Sequence, residues 1–458
     1  MINQKLTMLI IALLISGCHQ SYDDSKKERE QTLRESKGSI IIGVAWPNEE
    51  HNFVKGALLA AKEINHNGGI LNQSLKLLIN DGEKAIFNSS VNIRAAQHIG
   101  IGVANSYANN SEVVAVIGHQ FSKLAISASI VYQNHGIVFL APTATNLNLT
   151  NHNFNYIFRM HPSNAEMGKQ LAAYSHKLGH KKMVILHDRS RYGYELADSF
   201  LHHAEKDGIE LVMRRSFFAN RNNFIDLIVD LRLIQKDFEA IFLSTSSAVA
   251  SKIYEESREM KIMAPFVGGE TLDSQQFWNL VKIWETIDEL PAKSIVPTLF
   301  QESDPFTQTF IKKFKQEYGE SAQAERYAAL GYDAIKIIEH AVKISKSTVP
   351  IKIAETLRYM PPCRGVTGQY QFKTNGNIRN KNLYFKMFRQ GKFEYQRFED
   401  QSATNQKVWE CGNIDSDKDN IPDYIDRCPN NTQAEISKGV YNQGIYQGCP
   451  IDTDELGD

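Results

Sequence analysis

Val113-Val-Ala-Val-Ile-Gly-His-Gln-Phe-Ser122 and Gly136-Ile-Val-Phe-Leu-Ala-Pro-Thr-Ala-Thr145 decide the fold of this chain. Each is a continuous apolar run that stops at a turn of small polar residues, and a stretch of helical spacing lies between them. An unbroken apolar run reads as a strand buried on both faces, and strand, helix and strand in this order read as a β-α-β unit of a parallel sheet. Ligands of open α/β sheets bind beyond the carboxyl ends of the strands. Ser122, Thr143 and Thr145 fall there, beside the free N–H groups of a helix start, a combination suited to a carboxylate.

The pattern extends in both directions. Ile40–Val44 reads as a buried strand, residues 53–65 as a helix (Phe53, Ala57, Ala60, Ala61 and Ile64 share one face) and Asn67-Gly68-Gly69 as its stop. Leu75–Ile79 is the next strand and Val91–Tyr107 the next helix. A second alternation starts at Met183–Leu186 and runs to strand Phe266–Gly268, through helices at 192–206, 224–233 and 248–260 and strands at 210–212 and 240–243. Two such sets predict two similar lobes. Further helices are expected at 305–318, 324–345 and 351–360. Residues 365–395 then alternate apolar with polar around Thr374-Asn375-Gly376-Asn377, which predicts antiparallel hairpins.

The chain has 458 residues, 42% of them apolar and 22% charged, with a formal net charge of -1. That length fits about three units, and no basic excess points to nucleic acid. Lys5, the apolar run Leu6–Ile15 and then Ser16-Gly17-Cys18 form a targeting signal too short for a permanent membrane span. The small pair before Cys18 resembles a bacterial lipobox, which implies lipidation at Cys18 and a membrane anchor. His19 after it, by resemblance to enteric-type sorting, favours the outer membrane. Residues 19–38 are polar and charged and read as a flexible tether spanning about 25 Å. The expected boundaries are a signal peptide over 1–17, the lipidated tether over 18–38, a two-lobe domain over 39–400, a linker over 401–410 and a tail over 411–458. Cys363, Cys411, Cys428 and Cys449 allow three disulfide connectivities in an exported protein; Cys428 with Cys449 is the first choice, and the sequence leaves open whether Cys363 and Cys411 pair or stay free.

Taken in order, Phe53-Val54-Lys55-Gly56-Ala57 with Glu63-Ile64-Asn65 and Gly68-Gly69, Gly118-His119 with Ser122, Ala141-Pro142-Thr143-Ala144-Thr145, His187-Asp188 with Tyr192-Gly193, Gly268-Gly269-Glu270 and Gly331-Tyr332-Asp333-Ala334 resemble the type I periplasmic binding proteins, in their leucine/isoleucine/valine-binding branch. The resemblance covers residues 40–395. It implies two Rossmann-like α/β lobes with parallel sheets, hinged by three crossover segments, and an amino-acid ligand in the cleft between them. By the same resemblance, the Ser122 hydroxyl binds the ligand carboxylate, Thr143 offers main-chain groups, Thr145 hydrogen-bonds the ammonium or the carboxylate, and Ala144 between them belongs to the ligand site. Tyr192 covers the ligand from the second lobe, and Glu270 pairs with its ammonium. Donors on one lobe and an acid on the other make closure depend on ligand. Ser246 stands where relatives often carry an aromatic residue, which leaves the site more polar and puts a branched aliphatic ligand in doubt; Trp46 is the candidate apolar wall. His119 is expected to be structural, because no Gly-x-Ser-x-Gly elbow or placeable acid accompanies it.

The tail carries a second signal. Asp415, Asp417, Asp419, Asp423 and Asp426 alternate as calcium ligands do, with the carbonyl of Ile421 completing a shell of about 6–8 oxygens. The run resembles a thrombospondin type 3 repeat, so calcium is the expected cofactor. The function read from the whole is a lipid-anchored, non-enzymatic binding protein that captures an amino acid or similar zwitterion for an ABC permease. The alternative is an envelope sensor or scaffold lipoprotein that regulates a cell-wall or membrane partner without transport.

Overall fold

The computed structural model of the protein describes residues 22–86, 93–285, 293–397 and 409–412. The first lobe runs through α1 (Tyr22–Glu35), β1 (Ile40–Ala45), α2 (Asn52–His66), β2 (Leu75–Asn80), α3 (Ile93–Ala108), β3 (Val113–Gly118), α4 (Ser122–His135), β4 (Val138–Ala141) and β5 (Ile157–Arg159). Its strands make one parallel sheet in the order β2-β1-β3-β4-β5. β3 and β4 are buried along their whole length, as their unbroken apolar runs require. The order reverses between β1 and β3, so the loops after those two strands part and leave a crevice.

The second lobe repeats the plan with α5 (Asn164–Lys177), β6 (Lys182–Asp188), α6 (Arg191–Lys206), β7 (Glu210–Phe217), α7 (Ile225–Leu233), β8 (Ala240–Ser244), α8 (Ser247–Glu259), β9 (Phe266–Gly268) and α9 (Gln275–Glu285). Its parallel sheet runs β7-β6-β8-β9, with the switch between β6 and β8. After β10 (Val296–Thr298) come α10 (Pro305–Tyr318), α11 (Arg326–Ser345) and α12 (Pro350–Tyr359). These helices return to the first lobe, where Phe310, Phe314, Ile335, Ile338 and Ile353 share a core with β1 and β3. β11 (Cys363–Gly365) and β12 (Gly368–Tyr370) form an antiparallel hairpin on that lobe. β13 (Tyr384–Arg389) and β14 (Lys392–Arg397) form another on the second, where Leu383, Phe385 and Met387 complete its core. The chain therefore passes between the lobes three times, after β5, after β10 and after β12.

Two expected boundaries are corrected. The flexible tether over 18–38 is a helix from residue 22 to 35 whose Arg29 and Leu33 are buried. Among the described residues Arg29 has no carboxylate within ion-pair distance; it donates to the carbonyls of Ala108 at 2.7 Å, Asn110 at 2.6 Å, Val113 at 3.0 Å and His135 at 3.0 Å. Ala108 and His135 end α3 and α4, so one guanidinium answers carbonyls that helix ends leave unpaired. Arg29→Met should undock α1, at a cost of about 1.5–3 kcal/mol. Limited proteolysis would show it as new cleavage between residues 22 and 38, with the pattern elsewhere unchanged from that of the wild type.

The tail does not begin free at residue 411. β15 (Trp409–Glu410) adds in parallel to β11, Cys411 forms a disulfide with Cys363, and the Gly412 N–H donates to His340 Nδ1 at 3.3 Å. The folded body thus continues to Gly412, and the segment assigned as linker ends as a strand of it. Cys18 and the calcium and disulfide candidates Asp415, Asp417, Asp419, Ile421, Asp423, Asp426, Cys428 and Cys449 lie outside the described residues.

Candidate functional site: an interlobe cleft

The two switch points put the expected residues on either side of one cleft. On the first lobe Ser122 opens α4, but its hydroxyl does not cap that helix. It accepts instead from the N–H groups of Thr145 at 3.2 Å and Asn146 at 3.4 Å, tying the end of β3 to the end of β4. Thr143 Oγ1 donates back to the Gln120 carbonyl at 2.8 Å. The Ala144 carbonyl accepts from Arg159, a fully buried cation on β5 whose other partners are Asn377 Oδ1, the Leu147 carbonyl and Thr150 Oγ1. Burial pulls the Arg159 guanidinium down to about 9. Its hydrogen-bond partners are neutral oxygens and the acid that acts on it is Glu195 of the other lobe, so a positive charge stands directly behind the Ala144–Thr145 loop and favours an anion in front of it.

On the second lobe Tyr192, in the first turn of α6, donates its hydroxyl to Glu270 Oε2 at 2.9 Å, and Thr271 Oγ1 lies 3.2 Å from the same hydroxyl. Thr271 in turn donates to the Thr245 carbonyl at 2.6 Å. Burial pushes the Glu270 carboxyl up, against the pull of Arg326 and Tyr192. Ser246 is not part of this group: it is exposed at the start of α8, and its neighbour Thr245 turns inward to donate to Asp188. The departure at Ser246 therefore gives the cleft no described polar contact. Trp46 is buried at the end of β1, stacked at 3.9 Å on Phe53 and 6.1 Å from Tyr327. It belongs to an aromatic wall that includes His51.

The lobes touch across the cleft at two places that the sequence reading did not include. Asn146, next to Thr145, donates to both oxygens of Glu195 on α6 at 2.8 and 3.0 Å, and Asn164 adds a third hydrogen bond at 3.0 Å. Arg326, the first residue of α11, donates to the Glu270 carbonyl at 2.5 Å. Glu195 is one turn after Tyr192, and Asn146 directly follows Thr145, so this contact brings the Thr143–Thr145 loop of one lobe and the Tyr192 helix of the other together. A helix-spaced pair of Tyr192 and Glu195 was the available clue in the sequence.

His119 does have an acid beside it, against the expectation from the sequence. It is buried between Glu83, which meets Nδ1, and Tyr132, whose hydroxyl lies 2.9 Å from Nε2. His161, in the first interlobe crossing, is buried with Nδ1–H donating to the Pro162 carbonyl at 2.9 Å. Burial lowers it to about 3, with Arg326, Lys381 and Arg159 adding to the effect, and burial lowers His340 to about 4. Both imidazoles are neutral in the folded chain and take up a proton only when it unfolds. Below the ordinary histidine value of about 6.5 the unfolded state binds the extra protons, so stability falls as the pH falls. Each of the two should cost about 1.4 kcal/mol per pH unit between pH 6.5 and its folded value. Urea unfolding at pH 7 and pH 5 should show the fall, and His161→Gln should flatten the slope.

Two α/β lobes with donors at the strand ends of one and a tyrosine–carboxylate pair on the other define a hinged binder of small solutes. A family model described as a periplasmic binding protein matches residues 48–392. The chain belongs to that family. An amino acid binding protein of Pseudomonas aeruginosa is 24% identical over 349 residues, 74% of this chain and 87% of that protein. A Leu/Ile/Val-binding protein homolog of Brucella suis is 25% identical over 345 residues, with the same shares. Among solved structures, an ABC transporter substrate-binding protein of Desulfitobacterium hafniense in complex with Leu matches with a TM-score of 0.66 at 30% identity, over 78% of this chain and 100% of that one. A branched-chain amino acid transporter substrate-binding protein of Streptococcus pneumoniae in complex with isoleucine matches with a TM-score of 0.64 at 26% identity, over 78% of this chain and 99% of that one. Among the described residues no group of histidines, cysteines and acids could hold a metal ion, and no helix is long and apolar enough to cross a membrane.

Proposed function

We propose that this protein captures an amino acid or a similar small zwitterion by lobe closure and hands it to an ABC permease. The observation that carries the reading is the division of labour across the cleft. The Ser122 hydroxyl, the Thr143–Thr145 backbone and the Arg159 charge behind it suit a carboxylate, and Glu270 with Tyr192 faces them from the other lobe. The leucine and isoleucine carried by the related solved structures fit the same ligand class.

Thermal unfolding of the full chain against each amino acid tests it. A ligand present at a hundredfold excess over Kd stabilises the folded state by about 2.7 kcal/mol. Ser122→Ala should weaken that ligand by about ten- to a hundredfold, the worth of hydrogen bonds to a charged group. A well-folded chain that no amino acid stabilises would sink the capture reading and leave the sensor or scaffold lipoprotein in its place.

Two accessory features are part of the proposal and rest on the sequence. Cys18 carries a lipid anchor, and the alternate aspartates from Asp415 to Asp426 hold calcium as a module outside the cleft. Release of calcium by a chelator should leave amino-acid affinity unchanged, since the body closes on itself at Gly412 through β15 and the Cys363–Cys411 bridge.

A further inference from the structure

The carboxylate assigned to the ligand's ammonium already has a cation beside it. Arg326 belongs to α11, whose body packs in the first-lobe core, yet its Nη1 reaches the Glu270 carbonyl of the second lobe. Its Nη2 donates to the Tyr327 hydroxyl at 3.1 Å, its guanidinium lies 4.7 Å from the centre of that ring, and its Nε is buried without a hydrogen-bond partner. Besides Glu270, two acids share this ground. Asp273 is taken by Lys386 at 3.4 Å and by the Trp278 indole N–H at 2.8 Å. Glu325 accepts from the Tyr327 N–H at 3.1 Å, and burial pushes its carboxyl towards the neutral form. Arg326 is shared with Asp273 and Glu325, yet it is the cation that acts on the Glu270 carboxyl, and its contact with the Glu270 backbone carbonyl holds it there.

Burying a carboxylate without a cation is costly, and removing one partner of a buried pair costs far more than the pair is worth. Where the ligand's ammonium is the sole cation, a ligand that lacks it cannot hold the lobes shut. Here the cation comes from the chain. We propose that Arg326 is a specificity-determining residue: docked against Glu270, it supplies the positive charge that closure requires, so the cleft accepts a small carboxylic acid whether or not it bears an ammonium. The expected ligand class widens to amino acids together with their 2-oxo and 2-hydroxy counterparts. The inference rests on the amino-acid reading of the cleft for its carboxylate subsite.

Calorimetric titration of the full chain with three pairs tests it: leucine and 4-methyl-2-oxopentanoate, alanine and pyruvate, phenylalanine and phenylpyruvate. For a pair that binds, the two Kd values should lie within about tenfold of each other. Arg326→Met, which keeps the apolar stem and removes the charge, should raise the preference for the amino acid to about a hundredfold or more. Adding Glu270→Gln to that variant removes the charge that needs an answer and should return the ratio to about tenfold or less. Binding of an amino acid with its oxo acid more than about a hundredfold weaker in the wild type overturns the inference and leaves the amino-acid reading standing. So does an unchanged ratio in Arg326→Met. Oxo acids that bind where amino acids do not would overturn the amino-acid reading and support the role of Arg326; binding of neither would overturn both. Should the methionine variant fail to fold, the wild-type ratio and that of Arg326→Lys, which keeps the charge and should keep the wild-type ratio, decide the matter.

Discussion

Asp333→Ala should lower the unfolding free energy by about 3–5 kcal/mol, the cost of breaking a buried charge network from one side. Asp333 lies inside α11 with no exposed surface. It accepts from the Val366 N–H at 2.7 Å, the Thr367 N–H at 2.9 Å, the Thr367 hydroxyl at 2.7 Å and the Tyr370 hydroxyl at 3.0 Å. These donors belong to the β11–β12 hairpin, so one carboxylate fastens that hairpin to the helix. Lys381, on the third crossing between the lobes, completes the network: its ammonium lies 3.3 Å from Thr367 Oγ1 and 3.3 Å from the centre of the Tyr370 ring. Burial pulls the Lys381 ammonium down to about 7, and Asp333 is the charge that works against this. With alanine at 333, four donors lose their acceptor and Lys381 loses its counter-charge together. Asp333→Asn should cost less, about 1–3 kcal/mol, because it keeps one acceptor oxygen while turning a donor towards donors. Equilibrium unfolding in urea measures both. A loss below about 1 kcal/mol for the alanine variant would mean that water replaces the carboxylate and that the hairpin is held by packing.

The second large effect is steric. α2 and α11 cross so closely that each needs a glycine against the other's backbone. A Cβ built at Gly56 would lie 1.9 Å from the Ala328 carbonyl oxygen, and one at Gly331 would lie 1.9 Å from the Phe53 carbonyl oxygen. Neither obstacle is a side chain that can turn away, so the helices must separate. Overpacking of this kind typically costs 1–3 kcal/mol, and a backbone obstacle puts Gly331→Ala near about 3 kcal/mol. The same separation should reach the cleft, because α11 begins with Arg326, and α2 follows directly on His51, which packs against Tyr327. Calorimetric unfolding should therefore show a lowered Tm, and ligand titration of the still-folded fraction should show weaker binding. Gly56→Ala combined with Gly331→Ala should cost less than the sum of the two, since one separation relieves both clashes. Full additivity would mean that each site adjusts locally and the helix pair does not move as a unit.

Both effects bear on residues that the sequence marked for another reason. Gly331-Tyr332-Asp333 contributes to the family resemblance in the sequence, which attaches no role to its members. Its glycine proves to be a helix contact and its aspartate a clamp on a hairpin more than thirty residues away, which no local pattern could announce. The helix over residues 22–35 escapes the sequence pattern for a related reason. Residues 22–35 are charged and polar, and α1 is held by Leu33 and by Arg29 on carbonyls, with no broad apolar stripe to signal it. The cysteines show the same limit. Their number permitted a Cys363–Cys411 pair without selecting it, and the pairing follows from β15 lying beside β11 in one sheet.

What the sequence determined by itself was the layered plan and the identity of the cleft's short-range polar groups. Continuous apolar runs specify parallel strands, the turns at their ends carry Ser122, Thr143 and Thr145, and these features depend on neighbours in the chain. Tyr192 and Glu270 were legible because they too stand just past strand ends. Only the tertiary structure decided which polar groups meet across the lobes. Arg326 lies in Glu325-Arg326-Tyr327, an unremarkable helix start, and becomes a partner of Glu270 because α11 packs in the first lobe and points its beginning at the second. Asn146 and Glu195 are likewise forty-nine residues apart in sequence and hydrogen-bonded in space. Strand and turn signals are local, with a period of a few residues, whereas a cation reaching across a hinge is fixed by the crossing of distant helices, which leaves no spacing in the sequence to read.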